Sequence, residues 1–242
     1  MTSTGNKANI CDELDNLVGG QDLESLNKVL KRIDDVDLDS NPAKIRSGIL
    51  RRKGEWLYAL SNYEADKKKR VEILERAYEA AKQAHDIDDT DFEICKVLCS
   101  TSGRLAEESQ LKKKLHYGFL FKNYLDKAIA IDGNDFEALH MRGRFCYTVA
   151  NLSMVELLAA RMIGSVPDVS FQDALTDLLK ADSIISDVAE NQLFIGKTYL
   201  ALNDIPNAKK WLQMAAENTT DMAVEQEHVE EAQELLKDRR FK

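Results

Sequence analysis

One short phrase occurs twice in this chain. Ile87 to Glu93 and Ile131 to Glu137 both read I-D-x-x-D-F-E, 44 residues apart. A phrase repeated at that distance marks a repeated supersecondary unit, and it constrains the fold more than any other feature of the chain. Its chemistry reads as a helix ending on an apolar residue, a polar turn, and a new helix. Asp91 and Asp135 are placed to cap the new helices by accepting from their first backbone N–H groups. Phe92 and Phe136 then open new apolar stripes.

The flanks carry the same period. Ala77, Ala81 and Ala84 precede the first copy; Phe121, Leu125 and Ala128 precede the second. Steps of four then three keep one helix face buried. After the phrase come Cys95, Leu98, Cys99 and Ser102, then Leu139, Arg142, Gly143 and Cys146, again single faces. This is the paired-helix pattern of tetratricopeptide repeats. Its clearest copy starts at Asn191, with Ile195, Gly196 and Tyr199 on a first helix and Ala208, Leu212 and Ala215 on a second. Ala174, Leu178 and Ala181 supply another second-helix triplet. Gly and Ala fall where helices must approach closely.

The triplet-ending residues Ala84, Ala128, Ala181 and Ala215 are 44, 53 and 34 residues apart, and only the last is a standard repeat length. The first excess reads as a lengthened pair, Asp91–Ser109 and Gln110–Asp132. The second reads as an insertion, with a helix over Met154–Ile163, a turn at Gly164–Pro167 and a new helix near Ser170. Further helices are expected at Ile10–Val18, Asp22–Ile33, Ala43–Ser61 and Ala223–Lys237. The first two are expected to dock loosely or move. The expected layout is an N-terminal helical or mobile segment over 1–40, a divergent repeat domain over 41–222, and a capping helix with a basic tail over 223–242. The fold class is all-α: a tetratricopeptide-like helical-repeat superhelix with a lengthened pair and an inserted short helix. No sustained alternating run of Val, Ile and Thr suggests a sheet.

Composition narrows the function. A net charge of −9 excludes a general nucleic-acid binder, which needs a basic face. No run of 18 apolar residues suggests a membrane span, and the opening residues lack a signal peptide's apolar stretch. Cys11, Cys95, Cys99 and Cys146 then read as free thiols in a reducing compartment.

Three long stretches resemble the regulator of microtubule dynamics family: "GRLAEESQLKKKLHYGFLFKNYLDKAIAI" from Gly103, "GRFCYTVANLSMVE" from Gly143 and "FQDALTDLLKADSI" from Phe171. The resemblance runs from about Leu50 to Leu236. It implies a divergent helical-repeat domain associated with microtubules and the mitotic spindle. A microtubule or tubulin partner, a role in microtubule organisation and chromosome segregation, and a location in the cytoplasm, on the cytoskeleton and at spindle poles follow from it. Some members carry an N-terminal membrane segment, which is not read here. Some are associated with holding lipid on the concave surface.

No catalytic constellation emerges, and no enzyme activity, cofactor or metal is expected. "GKT" at Gly196 lacks the phosphate loop's earlier glycine, since position 191 is Asn. Cys95 and Cys99 could form half a zinc site, but no matching Cys or His pair stands nearby, so they read as core thiols. His85, His116, His140 and His228 are scattered.

The binding candidates are two. First-helix positions of the repeats place Glu93, Lys96, Ser100 and Arg104, then Glu137, His140, Arg144 and Thr148, then Glu190, Leu193, Lys197 and Ala201 along a groove. Lys96, Arg104, His140, Arg144 and Lys197 are its partner-binding candidates, suited to an acidic peptide or a phospholipid head group. Ser100 and Arg144 replace the Asn residues of the two-carboxylate clamp, so that ligand is not expected. The second candidate is a pair of basic runs, Lys67-Lys68-Lys69-Arg70 and Lys112-Lys113-Lys114, for an acidic microtubule surface. The tail, Lys237 to Lys242, is a third basic stretch expected to be mobile. Three classes of function therefore stand: a microtubule-binding protein, a peptide adaptor that reaches microtubules indirectly, and a lipid carrier.

Overall fold

A computed structural model describes residues 10–20, 22–164, 166–219 and 223–241. Every regular element among them is helical. Both copies of the repeated phrase fold identically. Asp88 and Asp132 accept from the backbone N–H groups of Thr90 (3.1 Å) and Asn134 (2.8 Å), closing the turn on itself. Asp91 and Asp135 then cap the next helices, accepting from Ile94 N–H at 3.0 Å and Ala138 N–H at 2.9 Å. So the first Asp of the phrase makes the turn and the second starts the helix.

The helices group into two units, Met1–Ala128 and Ile129–Lys242. The first holds α1 (Ile10–Val18), α2 (Leu23–Asp34), α3 (Ala43–Ser61), α4 (Lys67–Ile87), α5 (Phe92–Glu108) and most of α6 (Leu111–Ile131). Leu14, Leu26, Val29, Ile49 and Leu57 are fully buried together. The short helices α1 and α2 are thus packed into the core rather than loosely docked. Arg52 fastens α1 to α3 with two 2.6 Å hydrogen bonds to Asp15. Residues 1–9 of the expected N-terminal segment lie outside the described residues.

The second unit holds α7 (Phe136–Ala150), α8 (Met154–Ile163), α9 (Phe171–Ile184), α10 (Ala189–Ala201), α11 (Ile205–Glu217), α12 (Ala223–Leu235) and a closing 3-10 turn, Arg239–Phe241. The inserted helix α8 starts on a capping box between Ser153 and Glu156, and α9 on one between Ser170 and Asp173. Ser165, within the expected turn, lies outside the described residues. Helix α8 turns Ala160 inward and leaves Met154, Val155, Leu158 and Met162 exposed. Asn203, at φ 61°, ends α10 in the left-handed conformation that Asn tolerates.

Close helix contact in this unit runs through two glycines. A Cβ on Gly143 would lie 2.5 Å from Leu178 Cγ; one on Gly196 would lie 2.7 Å from Leu212 Cγ. Both leucines are fully buried, so neither can swing away. The basic tail departs from the mobile expectation. Phe241 is buried, Lys209 donates to its carbonyl at 2.9 Å, and Arg240 pairs with Asp238 at 2.7 Å. Lys242 lies outside the described residues.

These contacts make opposite predictions for two glycine substitutions. Gly→Ala gains about 1 kcal/mol of helix propensity, while overpacking a tight contact costs about 1–3 kcal/mol. Gly143→Ala should therefore lose up to about 2 kcal/mol of stability in denaturant unfolding. Gly118→Ala on α6, where nothing lies within 4 Å, should gain about 1 kcal/mol.

Candidate functional site

The groove candidates divide between the units. In the first, Lys96 lies 5.2 Å from the Phe92 ring centroid and 3.7 Å from Glu93. Arg104 lies 3.6 Å from Glu108 and 3.8 Å from Glu107. Both cations are held by acids on their own helix.

In the second unit the candidates meet at one carboxylate. Glu190, on the first turn of α10, receives Arg144 from α7 at 2.6 Å, His140 from α7 at 3.1 Å and His228 from α12 at 3.3 Å. One side chain thereby ties three helices. His140 is itself fixed twice more: Phe136 stacks on its ring, and its Nδ1 lies 2.9 Å from Asn191 Oδ1. Asn191 is fully buried and donates to the Leu178 carbonyl at 3.1 Å, which sets its amide orientation. Both ring nitrogens of His140 therefore face oxygen acceptors, and both can donate at once only when the ring is protonated.

Beside this hub lies an aromatic lining. Arg144 sits 4.9 Å and Lys197 4.7 Å from the Phe194 ring centroid, and Lys197 is 5.7 Å from Tyr147. Lys197 also pairs with Glu231 of α12 at 2.7 Å. Leu193, placed on the groove by the repeat alignment, is instead fully buried against Ala208 and Leu212. The stripe on α10 is Glu190, Phe194, Lys197, whose steps of four and three keep one face. Phe194, Glu231 and His228 were not among the groove candidates. The four-three spacing could have found Phe194. Nothing local could have found residues on a terminal helix.

Glu190 carries the site's clearest electrostatic signature. Burial works to raise its carboxyl, but the hydrogen bond from His140 and the charge of Arg144 overcome it, with further charge from His140 and His228, and bring it down to about 2. A folded-state value below the ordinary one stabilises the fold above the unfolded carboxyl's value, near 4.3. That stability is lost as pH falls from there toward 2. Glu190→Gln should lower stability at neutral pH by on the order of 3 kcal/mol, leaving Arg144 without its counter-charge. It should also flatten the acid limb of a plot of unfolding free energy against pH; an unaltered limb would assign acid unfolding elsewhere.

The two lysine runs, whose first residues are 45 positions apart in sequence, come to one end of the first unit. Helices α4 and α6 lie side by side and parallel, as a ladder of contacts shows. Glu75 pairs with Lys113 at 3.3 Å, Tyr78 meets Tyr117 at 5.9 Å, and His85 meets Tyr124 at 5.5 Å and Lys127 at 2.9 Å. Both runs occupy the first turns of these helices, where neither helix has an acid. Arg70 turns inward: it bonds Glu108 at 2.8 Å and the Glu64 carbonyl at 2.8 Å. Lys67 lies 3.6 Å from Glu108 and remains exposed. Lys68, Lys69 and Lys112 are exposed and Lys114 half-buried. Asp66 caps α4 and is held below the usual carboxylate range, first by the Lys69 N–H.

Comparison with known proteins agrees with this architecture. The model of the family described as regulator of microtubule dynamics protein 1-3 matches residues 10–240. Regulator of microtubule dynamics protein 1 of Caenorhabditis elegans is 31% identical over 216 residues, covering 88% of this chain and 92% of the worm protein. Regulator of microtubule dynamics protein 2 of Bos taurus is 36% identical over 49% of this chain, but the match spans only 29% of that longer protein. A tetratricopeptide-repeat protein of Thermus thermophilus, of solved structure, superposes with a TM-score of 0.51 at 13% identity, covering 88% of this chain and 99% of that one. The fold is thus a tetratricopeptide-like helical repeat, and the chain belongs to the regulator of microtubule dynamics family.

Proposed function

We propose that this chain is a non-enzymatic binding protein that contacts microtubules directly, through the basic end of its first unit. The observation that carries the reading is the family match over residues 10–240, whose members are named for microtubule dynamics. The lysine geometry supports it. A chain of net charge −9 is repelled by an acidic polymer unless its cations are gathered locally, and the first turns of α4 and α6 gather them. On this reading the protein acts in the cytoplasm, on the cytoskeleton and at the spindle and its poles, in microtubule organisation and chromosome segregation.

A second reading, a peptide adaptor, is favoured by the second unit. Lys197, which sits over the Phe194 and Tyr147 rings, already holds one carboxylate, that of Glu231. An acidic side chain of a partner could take its place.

Co-sedimentation of the purified chain with polymerised tubulin at increasing salt separates the two. Direct contact gives pelleting that fades with salt and weakens on charge reversal at Lys67–Lys69 or Lys112–Lys114. The adaptor reading gives no pelleting of the purified chain alone, and loss of a bound partner on Lys197→Glu.

A further inference from the structure

We infer that the basic end of α4 and α6 is built for a flexible, extended acidic polypeptide rather than for a rigid acidic surface; this rests on the microtubule reading above and names the element contacted. Tubulin's acidic carboxy-terminal tails are segments of that chemistry.

Three features carry the inference. First, the lysines stand where a helix disfavours them. Helices α2, α5, α7, α8, α9 and α10 each open with an acid, as the positive end of the helix dipole favours. Helices α4 and α6 open with Lys67, Lys68 and Lys69 and with Lys112, Lys113 and Lys114. At α6 the lysines and the helix dipole add; at α4 the Asp66 carboxylate on the Lys69 N–H offsets part of the dipole, and Lys67, Lys68 and Lys69 supply the attraction for anions.

Second, the cations read charge and not shape. Lysine presents a compact charge on a four-carbon stem, without the planar fork that arginine uses to fix a partner's orientation. The arginine present, Arg70, is turned inward onto Glu108 and the Glu64 carbonyl. Among the described residues, none forms an ion pair with Lys68, Lys69, Lys112 or Lys114. A set of cations on long stems with no planar donor fork suits a partner that adapts to it.

Third, the two clusters have a spacing that an extended chain matches. Tyr117 lies level with Tyr78, so α6 starts about five residues, or roughly 8 Å, further along than α4. Neighbouring helix axes lie about 8–10 Å apart. The diagonal between clusters is then roughly 12 Å, which about four extended residues span. An acidic run longer than that engages both clusters at once, and a shorter one engages a single cluster.

The test pairs two measurements on the full chain at low ionic strength. One is fluorescence anisotropy of labelled oligoglutamate peptides of graded length. The other is co-sedimentation with microtubules before and after proteolytic removal of the tubulin tails. Affinity is expected to climb steeply once the peptide exceeds about four residues. It is expected to fall about tenfold or more in the variant Lys68→Glu/Lys69→Glu/Lys112→Glu/Lys114→Glu. Tail removal is expected to cut pelleting. The variant should melt at or above the parent's temperature, because acids there complement the helix dipoles; this distinguishes lost binding from lost fold. Equal peptide affinity in the variant overturns the inference. So does displacement of the peptide by lower concentrations of an oligonucleotide of equal charge. Equal pelleting with intact and tailless microtubules overturns it too, while leaving direct microtubule binding in place. No pelleting with either, together with lysine-dependent peptide binding, sustains the acidic-polypeptide site and removes the microtubule reading.

Discussion

In the second unit, Leu178 and Leu212 occupy the space that side chains on Gly143 and Gly196 would need. This mutual exclusion sets how closely α7 meets α9 and how closely α10 meets α11. The other contacts of the unit follow from that distance. Arg142 reaches Asp177 with two 2.6 Å bonds, although Asp177 is only 7% exposed. Asn191 reaches the Leu178 carbonyl. With the helices pushed apart by a methyl group, these short polar bonds would lengthen while their groups stayed buried, and an unsatisfied buried polar group is costly.

The polar network around Glu190 depends on the same frame. Its carboxylate is 19% exposed, deep enough for burial to oppose its charge, and it stays ionised because three donors converge on it. Such a hub is a poor source of net stability compared with apolar packing, but it is exacting about geometry. Two of the donors are held by something else: His140 by Phe136 and Asn191, Arg144 by the Phe194 ring. The hub thus fixes the orientation of the aromatic and cationic side chains beside it.

Much of the fold was legible because its signals are local. The ends of α1, α3 and α8 fall where periodicity and capping residues put them, and the lengthened pair α5 and α6 falls within three residues of its expected bounds. Asp91, Asp135 and Ser170 act within three residues of themselves, so sequence spacing suffices to find them. What was not legible depends on long-range approach. The meeting of Glu190 with His228 joins helices that a linear reading treats separately. Leu193 and Phe194 are adjacent large apolar residues, and their one-position register decides which is core and which lines the groove. The tail reads as basic and terminal, yet Phe241 finds an apolar cluster formed by Leu193, Ala208 and Leu212. The convergence of the two lysine runs needs α4 and α6 to lie parallel, which the edge-to-face tyrosines and the Glu75–Lys113 and His85–Lys127 contacts reveal.

The first turns of α4 and α6 have a consequence for motion. Like charges crowded against the positive end of a helix weaken the backbone bonds that close that turn. The lysines thus make these two turns easier to open than an acid-led turn would be, while Leu74 and Leu125 further along are buried in the core. Hydrogen exchange should run fastest at these ends in the free protein and slow there when an anion is bound. On the function proposed above, the end that meets a partner is also the end that can reshape around it, so its ordering reports occupancy.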